Sequence, residues 1–353
     1  MSEPPALPFA RVFDEIVSPA GPSAATVRAA FDAILSGAWT PVQVAGFAVA
    51  LRMRGESAEV IAAAAEALRA VMVPVDHGLP LVLDTCGTGG DGLGTLNVST
   101  AAALVVAAAG VPVAKHGNRA VSSRAGSADV LEALGVVLDV PPAAQAGILR
   151  ATGIAFLFAP AHHPAMRHGG VARRELAVRT IFNALGPIAN PARATHQLLG
   201  TYDDALRGVL ASTLGTLGSR HAWLVRGEDG LDEVSPFAPT RVAVLAGGVV
   251  SERLVTPEDF GVPRSPPGAL AGGDAAENAA ALRVILGGAE HRARDAVILN
   301  AAAALVVARE REDAASLRQA ADEAREVLGS GRALSTLEAW RAATVAARVG
   351  GAG

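Results

Sequence analysis

The sequence predicts an α/β protein with a small N-terminal all-helical domain, residues 1–76. A larger domain, residues 77–353, follows, built on a central and mainly parallel sheet. Three observations carry this. Apolar residues recur at helical spacing as far as Val71, with no strand pattern among them. From Leu81 onward, short apolar runs alternate with helical segments, which is how a parallel sheet layered by helices reads. Between Leu81 and Thr100 a strand breaks into five glycines within eight residues and then enters a helix.

The elements follow in order. Ala10–Ile16, Ser23–Ser36, Pro41–Met53 and Ser57–Val71 carry the helical pattern. Thr40-Pro41 and Glu56-Ser57 read as helix starts, Gly37 and Gly55 as stops. Pro74–Gly78 reads as the hinge. Strands are expected at Leu81–Asp84, Val111–Ala114, Val136–Asp139, Ile154–Phe158, Gln197–Gly200 and Ala222–Val225. A hairpin of Arg241–Leu245 and Arg253–Thr256 turns at Gly247-Gly248. Helices Glu277–Leu286, Ala293–Ala308 and Ser316–Gly329 close the fold.

Composition narrows the class. A chain of 353 residues, 51% hydrophobic, can bury a large core. Its net charge of -4 offers no basic field, so nucleic acid is not an expected partner. The single cysteine, Cys86, excludes an internal disulfide and fits a reducing compartment. Met1–Pro5 has no basic end followed by an apolar core, and the longest apolar run, Ala101–Ala114, is too short for a bilayer. These features predict a cytoplasmic protein without a membrane partner.

The glycine stretch is the chemical centre. Glycines in this number are costly unless the backbone needs positive φ or touches a ligand. Ser99 and Thr100 are good N-cap residues, so the helix after the loop offers unpaired N–H groups and a positive dipole end. Strand, loop and helix form a phosphate cradle. Gly87-x-Gly89-x-x-Gly92 also fits a dinucleotide fingerprint, but there the helix opens at the glycines and an acidic residue closes the next strand. Here that strand closes on Lys115, the only lysine among thirty basic residues. A chain that otherwise uses Arg keeps one compact ammonium, which marks a site. The next loop, Lys115–Asp129, adds Asn118, three serines and the cations Arg119 and Arg124 at the same sheet edge. Asp129 reads as a helix cap.

Other signals carry less. His162, His163 and His168 lack a placed Cys or carboxylate to complete a transition-metal site, and read as a polar loop. Cys86 has no base beside it in sequence and reads as a small buried residue.

Gly-Thr-Gly-Gly-Asp-Gly, Asn-Val-Ser-Thr, Lys-His-Gly-Asn-Arg and Gly-Leu-Asp-Glu occur in this order and spacing. With His162–Arg167, Arg173–Pro191 and Gly272–Ala279, they make the chain resemble the anthranilate phosphoribosyltransferases over nearly its whole length. The resemblance implies transfer of the phosphoribosyl group of phosphoribosyl pyrophosphate to anthranilate in tryptophan biosynthesis. It implies Mg2+ and a homodimer formed largely through the helical domain. It places phosphoribosyl pyrophosphate on Gly87, Gly90, Asp91, Thr95 and the run Asn97, Val98, Ser99, Thr100. The same ligand extends to Lys115, His116, Gly117, Asn118, Arg119, Ala120, Val121, Ser122, Ser123 and Ser127. Anthranilate falls to Gly87, His116, Asn118 and Arg173, the metal to Ser99, Asp232 and Glu233. Arg suits a planar carboxylate because two parallel N–H···O bonds form. Arg174 reads as surface. The chain departs from the family pattern at Ala120, Ala125 and Arg124, and at Gly169–Ala172, read as a loop before Arg173. A pyrimidine-nucleoside phosphorylase of the same fold is the nearer rival, and a non-catalytic nucleotide- or nucleic-acid-binding homologue the more distant one. The Asp232-Glu233 pair and Asn118 after Gly117 favour metal-assisted phosphoribosyl transfer.

Overall fold

The computed structural model describes residues 7–89, 93–120 and 124–350. Four helices open the chain: α1 (Phe9–Val17), α2 (Ala24–Leu35), α3 (Pro41–Arg54) and α4 (Ala58–Val71). Their boundaries follow from local chemistry. Thr40 and Gln43 form a reciprocal capping box, with Pro41 at the first helical position. Ser57 caps α4 through the Val60 N–H, and Gly55, at φ 94°, ends α3.

The α/β part runs β1 (Leu83–Gly87), α5 (Val98–Ala108), β2 (Val113–Gly117), α6 (Ser127–Ala133), α7 (Pro142–Thr152) and β3 (Ile154–Phe158). It continues through α8 (Ala159–His162), α9 (Arg167–Leu176), α10 (Ile181–Ile188), β4 (His196–Gly200), α11 (Asp204–Thr216) and β5 (His221–Gly227). The hairpin β6 (Thr240–Ala246) and β7 (Val249–Val255) precedes α12 (Ala275–Leu286), α13 (Arg294–Arg309), α14 (Ala314–Gly329) and α15 (Arg332–Gly350). Among the described residues the strands form one seven-stranded sheet in the order β3-β2-β1-β4-β5-β6-β7. The first five are mutually parallel and the last two antiparallel. The predicted fold class holds.

Side chains alternate across the sheet. Leu83, Leu198, Trp223 and Val225 join α5, α13 and α14 in one core. Leu199, Ala222 and Leu224 join α4, α10, α11 and the N-terminal helices in the other. From β1 the chain crosses toward β2, and from β4 toward β5, so the β1–β4 boundary is a topological switch point where ligands of such sheets bind.

Three expectations are corrected. Val136–Asp139 is no strand: Val136, Leu138 and Val140 are buried in alternation, but the Val137 N–H donates to Thr344 Oγ1 at 3.1 Å. The period-2 pattern therefore reflects packing under α15, not a sheet neighbour. Gly169–Ala172 lies inside α9, not in a loop, with Ala172 buried in the core shared with the N-terminal helices. The connecting segment around Pro74–Gly78 is tied to the α/β part, with Val73 N–H donating to His162 O at 2.8 Å and Val75 N–H to Pro191 O at 3.0 Å. Finally, β1 and β2 run to Gly87 and Gly117, which puts Cys86, Lys115 and His116 on strands. Parallel pairing of Cys86 with Leu199 and Gly87 with Gly200 carries β1 that far. Beyond these corrections, α9 and α10 pack against α2, α3 and α4, so a middle stretch of the chain completes the helical layer.

Candidate active site at the sheet switch point

Gly87 and Gly200 end the two strands that flank the switch point and pair across it. The Thr88 N–H donates to Gly200 O at 2.8 Å, holding the loop exit against β4. Asp232 lies directly over both glycines. A Cβ at Gly87 would stand 3.0 Å from Asp232 Oδ2, and one at Gly200 would collide with the Asp232 carbonyl. Close backbone approach thus accounts for glycine at Gly200, while at Gly87 the near neighbour is the Asp232 carboxylate.

The acidic pair sits on the loop after β5. Val234, next to it, is gripped by Asn300 of α13, whose Oδ1 accepts the Val234 N–H at 2.9 Å while Nδ2 donates to Val234 O at 3.0 Å. Glu233 Oε1 accepts the Ser99 N–H at 3.2 Å. A carboxylate therefore rests on the first turn of α5, where the helix dipole favours negative charge. The expected cap is corrected here: the N-cap of α5 is Asn97, not Ser99 or Thr100, and it makes no side-chain cap bond.

Lys115 is 3% exposed on β2, with Nζ donating to the Thr85 carbonyl and to Ser99 Oγ. Burial pulls its pKa down, opposed by the neighbouring Asp84 carboxylate. Asp84 is fully buried in β1; burial raises its pKa to about 6, against the pull of Lys115. Its oxygens accept the His116 N–H at 3.1 Å and Asn190 Nδ2–H at 2.8 Å. Asp84, Asn190 and Asn300 were missed as site residues. A charged or amide side chain inside an apolar strand or helix was the only signal for Asp84 and Asn300, and Asn190, in the loop after α10, had none.

The other predicted residues separate into groups. Asn97, Val98, Ser99 and Thr100 form the start of α5, and Thr95 bridges to Ala271. Ser127 Oγ donates to Asn118 O at 3.4 Å, so α6 meets the second loop. Asp129 does more than cap: its Oδ2 accepts the N–H groups of Ala120 and Gly126, both at 2.9 Å, tying the two ends of that loop. The Arg119 guanidinium pairs with Asp129 and Glu132 and lies 5.7 Å from the Phe158 ring centroid, away from the α5 end. Gly90, Asp91, Val121, Ser122 and Ser123 lie outside the described residues.

A second half-site borders α10. Arg173 lies half-buried with its guanidinium 5.7 Å from the Phe182 ring centroid, whereas Arg174 is exposed. One turn along α10, the Gly186 carbonyl bonds His116 Nδ1 at 2.8 Å. A carbonyl only accepts, so Nδ1 carries the proton and Nε2 presents a lone pair. That Nε2 is buried and has no partner among the described residues. His163 lies 5.1 Å from His116, ring to ring. His162 and His163 are buried rather than on a polar loop.

Burial lowers the pKa of His116 to about 3 and of His163 to about 4, from an ordinary 6.5. A lowered value means the unfolded chain binds more protons, so stability is present at neutral pH and lost as pH falls through 6.5. Each histidine is expected to cost about 2 kcal/mol between pH 7 and pH 5. Asp84, with its raised value, works the other way and offsets about 1 kcal/mol. Denaturant titrations at the two pH values check this. His163→Phe, which keeps a buried ring without a titrating nitrogen, should flatten the acid limb.

Comparisons with known proteins agree with this architecture. Residues 14–72 match the helical bundle domain, and residues 79–334 the a/b domain, of the glycosyl transferase family. An anthranilate phosphoribosyltransferase of Moorella thermoacetica is 49% identical over 317 residues, covering 90% of this chain and 93% of its own. The crystal structure of that enzyme from Thermus thermophilus superposes with a TM-score of 0.88 at 42% identity, over 95% of this chain and 98% of its own. The Saccharomyces cerevisiae enzyme, in complex with phosphoribosyl pyrophosphate and Mg, gives 0.88 at 28% identity, over 96% and 98%. On this identity and coverage, the chain belongs to the anthranilate phosphoribosyltransferase family.

Proposed function

We propose that the protein transfers the phosphoribosyl group of phosphoribosyl pyrophosphate to the amine of anthranilate, releasing pyrophosphate, with Mg2+ as cofactor. One observation carries this reading. A glycine-ended strand, a helix N-terminus, the sole lysine and an acidic pair converge on the sheet's switch point.

The reaction breaks the bond from ribose C1′ to pyrophosphate while the anthranilate nitrogen bonds C1′ and loses a proton. Positive charge grows on the sugar and negative charge on the leaving group. No covalent nucleophile is needed, so the protein contributes positioning and charge neutralisation. The start of α5 and Lys115 supply the positive side, with the glycine loop around the phosphates. Asp232 and Glu233 offer hard oxygens beside Ser99 and over Gly87, a donor set that suits Mg2+ held jointly with substrate phosphates. When bound, that ion would neutralise pyrophosphate. Arg173 faces the aromatic carboxylate, and His116 Nε2 accepts a hydrogen bond from the amine. A ring whose pKa is about 3 is a poor base, which favours orientation of the amine over proton removal.

The test is loss of anthranilate fluorescence with phosphoribosyl pyrophosphate, with and without a chelator. Thymidine phosphorolysis in place of anthranilate turnover would overturn the assignment. Arg173→Ala is expected to raise the anthranilate KM roughly ten- to a hundred-fold through loss of a bidentate charge-assisted pair. The KM for phosphoribosyl pyrophosphate should stay put, and equal weakening of both substrates would remove Arg173 from the aromatic site.

Residues 1–76 are proposed as the dimerising helical domain, with 77–353 as the catalytic domain in the cytoplasm. Phe13, Val17, Val42, Val49 and Met53 form exposed apolar positions on α1 and α3, with Val42 at 81% and Met53 at 82% exposure. Val42, Val49 and Met53 recur at helical spacing along α3, which supports reading that face as the one a second copy covers. Val42→Asp combined with Met53→Asp is expected to shift the sedimenting species from dimer to monomer.

A further inference from the structure

An Asn at a helix N-cap ordinarily turns its side-chain oxygen onto the first-turn N–H groups. Asn97 does not. Its Oδ1 accepts the Nδ2–H of Asn278 at 3.0 Å, and its own Nδ2 donates to Ala125 O, in the second phosphate loop, at 3.2 Å. Asn278, on the first turn of α12, is 2% exposed, and its Oδ1 accepts the Gly273 N–H at 2.7 Å. The chain from Gly273 through Asn278 and Asn97 to Ala125 runs donor to acceptor in a single direction. Neither amide can flip without setting two acceptors, or two donors, against each other. Aligned amides of this kind also strengthen one another.

The relay completes a brace. Leu96 N–H donates to Leu270 O at 2.9 Å and Gly272 N–H to Gly94 O at 3.0 Å, so segment 270–273 runs against the exit of the glycine loop. A Cβ at Gly272 would stand 2.7 Å from the Thr95 carbonyl, so the approach admits only glycine. Turned toward Asn278, Asn97 leaves the first turn of α5 to ligands and to Glu233.

We propose that Asn278 is a positioning residue for phosphoribosyl pyrophosphate, acting through Asn97, which it orients and keeps off the helix end. The proposal rests on the reading of the α5 end as the pyrophosphate seat. It is tested by binding of that substrate alone, so it stands or falls separately from the acceptor assignment.

Titration calorimetry with phosphoribosyl pyrophosphate and Mg2+ is the measurement, on the full chain. Asn278→Ala is expected to weaken binding about two- to tenfold. The anthranilate KM should stay within about twofold, since the relay does not reach α9 or α10. In an Asn97→Ala background the same substitution should add nothing, because its route of action is gone. Asn278→Asp, which faces Asn97 Oδ1 with a second acceptor, should weaken binding more than Ala does. Melting curves of every variant check the fold. If Asn278→Ala costs as much without Asn97 as with it, or weakens both substrates alike, Asn278 only attaches α12 and the proposal fails.

Discussion

Replacing Asp232 and Glu233 together by Ala is expected to lower kcat/KM for phosphoribosyl pyrophosphate by on the order of a thousandfold while the fold survives. The loss is large because, in the proposed reaction, both carboxylates would act where charge develops in the transition state. Asp232 lies over the glycines that end β1 and β4, and Glu233 on the first-turn N–H of α5. The fold survives because the loop is anchored by backbone: Asn300 grips Val234, and the Gly227 N–H donates to Leu231 O at 2.8 Å. Rates measured against Mg2+ concentration decide the matter. Wild type should lose activity as the metal is withdrawn, and the double variant should be slow throughout. A variant that kept the wild-type metal dependence would reduce the pair to a loop feature.

The second large effect concerns Lys115, where stability and activity are expected to separate. Lys115→Met takes a cationic neighbour from the buried Asp84 carboxylate, whose pKa should rise further, and is expected to destabilise the fold. The Thr85 carbonyl and Ser99 Oγ lose their donor too. Adding Asp84→Asn removes the stranded charge and should restore much of the stability. It should not restore activity, because the ammonium under the phosphate cradle is still missing. Lys115→Arg keeps the charge but forces a broader group into a site that is 3% exposed, and should weaken phosphoribosyl pyrophosphate roughly ten- to a hundred-fold. Chemical denaturation and steady-state kinetics on the three variants test the separation. Recovery of both properties in the Asp84→Asn, Lys115→Met double variant would make Lys115 a structural residue only.

The sequence by itself determined what depends on neighbours along the chain. Helices α1 to α4 were legible from their apolar period, and α3 and α4 also from the boundary residues Thr40, Gly55 and Ser57. The hairpin of β6 and β7 was legible for the same reason: Gly247 and Gly248 take φ of 56° and 81°, which a two-residue turn of this hand demands. The glycine stretch was legible as the end of a strand before a helix, since β1 runs into it and α5 follows it.

The tertiary structure decided whatever depends on distant partners. Val136–Asp139 has the alternation of a strand, but only the position of α15 shows that nothing pairs with it. Ser99 and Thr100 look like the caps of α5, yet Asn97 holds the N-cap position and Asn278, 181 residues away, takes its oxygen. Arg119 looks like a phosphate cation, yet Glu132 and Asp129 of α6 take its guanidinium. Asp84 reads as one more strand residue until Asn190 and the His116 N–H close around it. A side chain's chemistry is set by its type, but its partner is set by which surfaces the fold brings together. Hydrogen bonds and charges inside a core leave no periodic trace along the chain, so the residues that hold this site in place appear only once the sheet and its helices are packed.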